Sequence, residues 1–413
     1  MILCFANFFF IRCVLIIFPI FVPMKFPNKL ENKINSRDEN KALRTLGLQS
    51  NLIDFSSNDY LGFAKSEVIF DGAHQFLLDE NIKINGATGS RLLSGNYRLY
   101  DVVEKQISKF HQSEAALIFN SGYDANLGFF AAVLQRGDVI LYDEFIHASI
   151  RDGIQLSNAK AYKFKHNDVD DLECLIKRHS ELVSESHNEI YLVTESVFSM
   201  DGDMPDLFAM SEICKKHNAF FVVDEAHAIG VFGQHGCGEI QRLGIETAVF
   251  ARIITFGKGL GCHGAAILGS QELKEYLINF ARSFVYTTGL APHALATIKI
   301  AYNQLVISSE YEQTHQGQLQ ENIQFFKSEL VRLKLQKAFI ESNSAIHCCL
   351  ISDTIKTKRI ANQLREKGYD VKAILSPTVS VGEERLRFCL HNYNSPKEIT
   401  EVLENLNIFV SSP

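Results

Sequence analysis

Lys258 stands in Thr255-Phe256-Gly257-Lys258-Gly259-Leu260-Gly261, after an apolar run starting at Arg252, so that a strand delivers one amine into a glycine-rich turn. A second apolar run, 220–223, ends in Asp224-Glu225-Ala226-His227. A lysine that can bond covalently to an aldehyde, and an aspartate that can hold a protonated ring nitrogen, are what pyridoxal phosphate (PLP) requires of a protein. The glycines let a flat group lie close to the backbone. Catalysis asks Lys258 to shed its proton near neutral pH, which burial beside a cationic ring would achieve. Read singly, Lys258 could be a surface lysine and Asp224 a helix N-cap. The two motifs in this order favour the cofactor.

Other residues could serve the same site. His147, in His147-Ala148-Ser149, is an imidazole able to stack on a flat ring, although a lone histidine of this kind is more often a core residue. Asn120-Ser121-Gly122-Tyr123 falls at a strand-to-helix turn, where backbone N–H groups and a hydroxyl can cradle phosphate. Arg385 and Arg387 alternate along a strand and are either solvated charges or a planar fork for a carboxylate. Asp224-Glu225-Ala226-His227 also resembles the magnesium motif of helicases, but the phosphate loop that reading needs is missing. Gly86-Ala87-Thr88-Gly89-Ser90-Arg91 lacks the preceding strand of a dinucleotide site. Histidine and cysteine spacings predict no structural zinc and no metal site.

Apolar runs alternate with amphipathic stretches from about residue 115. The spacing predicts strands at 115–119, 139–142, 161–164, 190–194, 220–223, 252–255 and 265–268, with helices between them such as 207–217. This order implies a mostly parallel sheet covered on both faces, whose ligands bind beyond the carboxyl ends of the strands. Ser121 and Gly122, the segment 143–147, the segment 195–199, Asp224 to His227 and Lys258 all fall at such ends. After about residue 290 comes a polar helical stretch (298–333), then strand 345–351, helix 354–367, strands near Val371 and at 385–390, and a last helix 396–406. That describes a smaller α+β domain.

With 413 residues, 46% of them hydrophobic, the chain can bury the core of two domains. The balance of 41 basic against 48 acidic residues, without a basic block, speaks against nucleic acid as a partner. The nine cysteines are scattered and contain no Cys-x-x-Cys pair, as expected of thiols in a reducing compartment. Residues 1–23 are almost wholly apolar, with Arg12 their only charge. A membrane span would place Arg12 near mid-helix, at roughly 2.5–3.5 kcal/mol, and a signal peptide would need a basic start and small residues at its end. The reading adopted is that Met24 begins the working protein. It is then cytoplasmic, with membrane association only if residues 1–23 are present.

Seven ordered motifs resemble those of the α-oxoamine synthases, a family within the aspartate-aminotransferase-like PLP enzymes. They are Ser57-Asn58-Asp59-Tyr60-Leu61-Gly62, Gly89-Ser90-Arg91-Leu92-Leu93-Ser94-Gly95, His147-Ala148-Ser149, Glu195-Ser196-Val197-Phe198-Ser199-Met200-Asp201-Gly202-Asp203, Asp224-Glu225-Ala226-His227, Thr255-Phe256-Gly257-Lys258-Gly259 and Arg385-Leu386-Arg387. The resemblance runs from about Met24 to the C-terminus. It implies an α/β fold of type I, with an arm at 24–57, a large PLP-binding domain at 58–290 and a small C-terminal domain at 291–413.

Within that resemblance, Lys258 would carry the cofactor and act as base, Asp224 would pair with its ring nitrogen, and His147 would stack on its face. Glu195, Ser199 and His227 would lie against the ring. Ser121, Gly122, Tyr123 and Thr255 would hold the phosphate, with Thr287 and Thr288 supplied by the partner of a homodimer. Arg44, Asn58 and Arg387 would bind substrate. The implied reaction is decarboxylative condensation of L-alanine with a pimeloyl thioester, carried by CoA or by an acyl carrier protein, in biotin synthesis. Sister activities with glycine or serine are the nearest competitors, followed by a generic aminotransferase and a silent scaffold subunit. Two departures stand out: Tyr100 where many relatives carry histidine, read as a variation near the acyl channel, and Gly261-Cys262-His263-Gly264 after the lysine.

Overall fold

The computed structural model describes residues 25–39, 43, 44, 46, 51–183, 188–308 and 314–411. The reading of residues 1–23 therefore lies outside the described residues. Two units are present, one within Met1–Asn51 and one within Leu52–Pro413. In the first, the helix Asn28–Glu39 buries no side chain. No helix among the described residues is long and apolar enough to cross a membrane.

In the second unit, the strands in chain order are β1 (Ile53–Asp54), β2 (Ala115–Phe119), β3 (Val139–Asp143), β4 (Lys160–Phe164), β5 (Ile190–Glu195), β6 (Phe220–Asp224), β7 (Ala251–Thr255), β8 (Ala265–Gly269), β9 (Ile346–Leu350), β10 (Tyr369–Asp370), β11 (Lys372–Ile374) and β12 (Arg385–Cys389). The main sheet has the order β2-β8-β7-β6-β5-β3-β4. Every residue of β2, β5 and β7 is buried, so both faces of the sheet are covered and the strands read as unbroken apolar runs. Edge strand β4 is the exception: Lys160 and Lys163 face water there, which blunts an open sheet edge.

All strands of this sheet share one direction except β8, which runs antiparallel to both β2 and β7. The lysine turn is therefore the connection of an antiparallel hairpin. Three backbone bonds close it: Phe256 N–H to Gly264 O at 2.9 Å, Cys262 N–H to Phe256 O at 2.7 Å, and Gly261 N–H to Lys258 O at 2.8 Å. Two helices, Pro292–Ser308 and His315–Arg332, occupy the stretch expected as one long helix. A second, antiparallel sheet of order β11-β12-β9 carries the C-terminal strands, and the parallel pair β1–β10 lies apart from it. The buried side chains of Phe55 and Tyr60 join one continuous core with β9, β12 and the helix Pro396–Ser411.

Gly261 has φ +59°, and a Cβ there would come within 2.2 Å of the Ala64 backbone nitrogen. Gly261→Ala should therefore lower unfolding free energy by about 2–3 kcal/mol, from positive φ and overlap together, read as a drop in denaturation midpoint with unchanged m-value.

Candidate active site

The strand ends meet. Lys258, at the tip of the β7–β8 hairpin, brings its Nζ to 2.8 Å from His227 Nε2, in the loop after β6. His227 Nδ1 lies 2.6 Å from the Tyr60 hydroxyl, which also reaches Asn58 Oδ1 at 3.3 Å. Arg387 of β12 donates from Nη2 to the same Asn58 oxygen at 2.9 Å and from Nε to the Ser199 carbonyl at 2.7 Å. Arg385 is buried too, so neither arginine is a solvated strand charge; it is committed to Asp201 and to the Met200 carbonyl.

Asp224 closes β6 and is buried. Its Oδ1 accepts the Ala226 N–H at 2.9 Å and its Oδ2 accepts Asn126 Nδ2 at 2.8 Å. A carboxylate cannot donate, so the Asn126 amide must turn its nitrogen to Asp224. The same nitrogen reaches Ser149 Oγ at 3.0 Å, and that hydroxyl is 2.7 Å from His147 Nδ1. His147 Nδ1 also accepts the Ser149 backbone N–H at 3.2 Å, so it is an acceptor, and the Ser149 hydroxyl, which accepts from Asn126, donates to it. One amide thus aligns the carboxylate with the His147 ring. Glu195 Oε1 accepts the His147 backbone N–H at 2.6 Å.

These contacts shift protonation. Burial pushes the Lys258 amine down to about 8, with Arg387 adding to the fall against the pull of Asp224 and Glu195. Burial also holds His227 well below the ordinary histidine range, reinforced by Lys258 and Arg387. Desolvation of its ring nitrogens lowers His147, opposed by Asp224. Glu195 is pushed well above the carboxylate range by burial and by the charge of Asp224 beside it.

Beyond β2, Ser121 caps the helix Gly122–Val133 by accepting the Asp124 N–H. The N–H groups of Gly122 and Tyr123 find no acceptor among the described residues, and such a helix start attracts an anion. The Cβ position of Gly122 stands 3.7 Å from Thr255 Oγ1. Tyr123 is exposed and hydrogen-bonds Asp152. Asn120 Nδ2 donates to Thr287 Oγ1 at 3.1 Å and to the Thr288 carbonyl at 2.6 Å within the same chain. Tyr100 is 1% exposed, and its hydroxyl accepts the Leu290 N–H at 2.6 Å, so it anchors the loop after that threonine pair. Arg44 is exposed and belongs to the N-terminal unit.

Sequence reasoning assigned no role to Asn126, Ser149 or Tyr60. Tyr60 sat within a quoted motif; Asn126 offered no signal beyond lying one helical turn after Gly122.

The chain belongs to the aminotransferase class I and II family, whose model matches residues 50–406. It is 37% identical to the 8-amino-7-oxononanoate synthase of Emericella nidulans, over 93% of this chain and 96% of that one. Among solved structures, the 8-amino-7-oxononanoate synthase of Francisella tularensis is 28% identical with a TM-score of 0.72, covering 87% of this chain and 98% of that one. A serine palmitoyltransferase from S. paucimobilis, with PLP and myriocin bound, is 25% identical with a TM-score of 0.81, covering 92% and 96%. The expected type I fold, a large and mostly parallel sheet, stands.

Removing the negative charge of Asp224 removes support for the ammonium form of Lys258. In cofactor-free protein, Asp224→Asn should shift the pH midpoint of Lys258 acylation below about 8, and Arg387→Met should shift it above. Peptide mapping of the modified amine reads both; an unmoved midpoint in the two variants would refute the electrostatic account.

Proposed function

We propose that the protein is a PLP-dependent acyltransferase that condenses L-alanine with a pimeloyl thioester, releasing carbon dioxide and free thiol and yielding 8-amino-7-oxononanoate. The observation that carries this reading is the Lys258 amine, lowered to about 8, at 2.8 Å from His227 and within the field of Asp224 and Arg387. The match to an 8-amino-7-oxononanoate synthase across 93% of the chain supports the substrate pair. The thioester is carried by CoA or by an acyl carrier protein, and the enzyme works as a homodimer.

The residues fit the cofactor: an anion site of unpaired N–H groups, a buried carboxylate and a readily neutral lysine lie at neighbouring strand ends. Bound PLP supplies a protonated ring that accepts an electron pair from the amino-acid Cα. The Gly122 and Tyr123 N–H groups, with Ser121 and the Thr255 hydroxyl, hold the phosphate, completed by Thr287 and Thr288 of the second copy. Asp224, oriented by Asn126, keeps a proton on the ring nitrogen. His147, held by Ser149 and by the Glu195 contact to its backbone, would cover one ring face. Ser199 and His227 would stand on the side of the ring oxygen. As a free amine, Lys258 takes the Cα proton and later returns it. Arg387, steadied by Asn58, orients the alanine carboxylate.

The second reading is a sister synthase that uses serine or glycine; the TM-score of 0.81 to a serine palmitoyltransferase favours it over a generic aminotransferase. Adding alanine, glycine and serine in turn to the holoenzyme, then pimeloyl-CoA, separates the two. Alanine alone should shift the visible band, with thiol release only once pimeloyl-CoA follows. Lys258→Ala should lower turnover at least about a thousandfold, and Arg387→Ala should raise the alanine KM by about ten- to a hundredfold. A response confined to serine or glycine would reassign the substrate, and full turnover in Lys258→Ala would end the proposal.

A further inference from the structure

His166, just past edge strand β4, lies outside the site described above, yet both its ring nitrogens face carboxylates. Nδ1 is 2.9 Å from Asp143 Oδ1 and Nε2 is 2.8 Å from Asp203 Oδ2. Ionised carboxylates only accept, so each nitrogen must carry a hydrogen and the ring is an imidazolium. The surroundings are built for this. Asp143, fully buried, also accepts the N–H groups of Phe145 and Asn167, each at 2.8 Å. Asp203 Oδ2 takes a second bond from Asn167 Nδ2 at 2.7 Å. The rings of Phe145 and Phe198 flank the imidazole, both with centroids at 4.4 Å.

Asp203 ends a turn, 198–203, that two backbone bonds close: Phe198 N–H to Asp203 O at 3.1 Å and Gly202 N–H to Phe198 O at 2.8 Å. Its far side is gripped by the second sheet. The Gly202 carbonyl accepts the hydroxyls of Ser342 and Ser344, and the Met200 carbonyl accepts Arg385 and the Cys348 thiol. The Ser199 carbonyl holds Arg387. His166, with Asn167 beside it, grips this turn from the end of β4, opposite all the others.

We propose that His166 is a positioning residue: as a cation between Asp143 and Asp203, it fixes the turn 198–203 and, through the Ser199 carbonyl, the Arg387 guanidinium that receives the amino-acid carboxylate. The inference rests on the reading of Arg387 given above. Burial opposes charge on the ring, but the hydrogen bonds to Asp143 and Asp203 outweigh it, and the His166 pKa is pushed up to about 10. The other charges nearby are Glu144, which accepts the His166 backbone N–H and pairs with Lys163, and Asp201, paired with Arg385. A histidine raised above its unfolded value contributes fully below that value, and its contribution is lost as pH rises through about 10.

The test combines His166→Gln and Asp203→Asn with two measurements. In histidine-labelled, cofactor-free protein, the nitrogen signals that vanish in His166→Gln should show an imidazolium at about pH 8, where an ordinary histidine is neutral. A neutral ring there overturns the proposal whatever Arg387 does. In the holoenzyme, absorbance titration should give an alanine Kd raised about tenfold in His166→Gln, with PLP retained. Asp203→Asn, the milder change, should make His166 neutral at the same pH and weaken alanine in the same direction. If either variant binds alanine like the parent, the proposal fails. Arg387→Met, run in parallel, keeps the two ideas apart: unchanged alanine affinity there refutes the reading of Arg387, and with it the consequence for substrate, while the imidazolium signal is judged separately.

Discussion

Taking an ammonium group out of water costs several kcal/mol unless it finds a partner or gives up its proton. Burial moves Lys258 toward the second course, lowering its amine to about 8, and much of the local architecture follows from it. The β7–β8 hairpin fixes the turn with backbone bonds, and the amine itself meets the His227 imidazole and no carboxylate. Glycine at 259 and 261 lets the turn lie within van der Waals reach of the Ile229 carbonyl and the Ala64 nitrogen, which shuts out solvent from behind. Arg387 arrives from a different sheet and adds positive potential on the same side. A lysine on a mobile loop could have neither the desolvation nor the cationic neighbour.

The surrounding charges sort into two zones. Next to Lys258 two groups are drawn to their neutral forms, His227 held well below the histidine range and Glu195 pushed well above the carboxylate range, while Asp224 and Arg387 act on the amine with opposite charges. Glu195 and Asp224 are register partners on β5 and β6, so ionising both would set like charges side by side in a buried layer. One step outward, the charges are complete and paired, in Arg385–Asp201, in Arg252–Glu225, and in His166 between its two aspartates. Breaking one partner of a buried pair leaves an uncompensated charge, so these outer pairs hold loops in place more firmly than their net energies alone would indicate. The neutral inner zone can exchange protons; the outer zone keeps it in shape.

Much of this was legible in the sequence because the main sheet is buried on both faces. Continuous apolar runs such as Ala115–Phe119 and Ile190–Glu195 have little else to become, and their polar ends are where the chemistry sits. Direction was not legible. Nothing in Ala265–Gly269 distinguishes an antiparallel strand from a parallel one, so the hairpin that carries Lys258 emerged only from pairing. Helical periodicity continued across residues 298–333, although Thr314 is extended and caps a separate helix that starts at His315. Asn126 was invisible, and Ser149, although within a quoted motif, was given no role, because their importance lies in a chain of donors across separate elements. The strand 161–164 was read from the sequence, but His166 just beyond it was not singled out, because its partners Asp143 and Asp203 lie 23 and 37 residues away along the chain.

The division between common machinery and particular substrate follows from the same layout. Lys258, Asp224, His147 and His227 sit on the strand ends of the large sheet, and that framework superposes on a serine palmitoyltransferase with a TM-score of 0.81 despite 25% identity. A fold so widely shared does not itself choose the substrates. Under the reading proposed above, discrimination falls to side chains away from the lysine: the Asn58–Arg387 pair, and the loop that Tyr100 holds through Leu290 beside Thr287 and Thr288. Tyr100 fills that position with a ring stacked on the Arg91 guanidinium at 3.7 Å, and Arg91 in turn pairs with the buried Glu104. A smaller imidazole there would leave part of that stack unfilled, and the loop would have to resettle. The replacement therefore bears on the shape of this loop, through Leu290 and Arg91, and leaves the hairpin that carries Lys258 to its own backbone bonds.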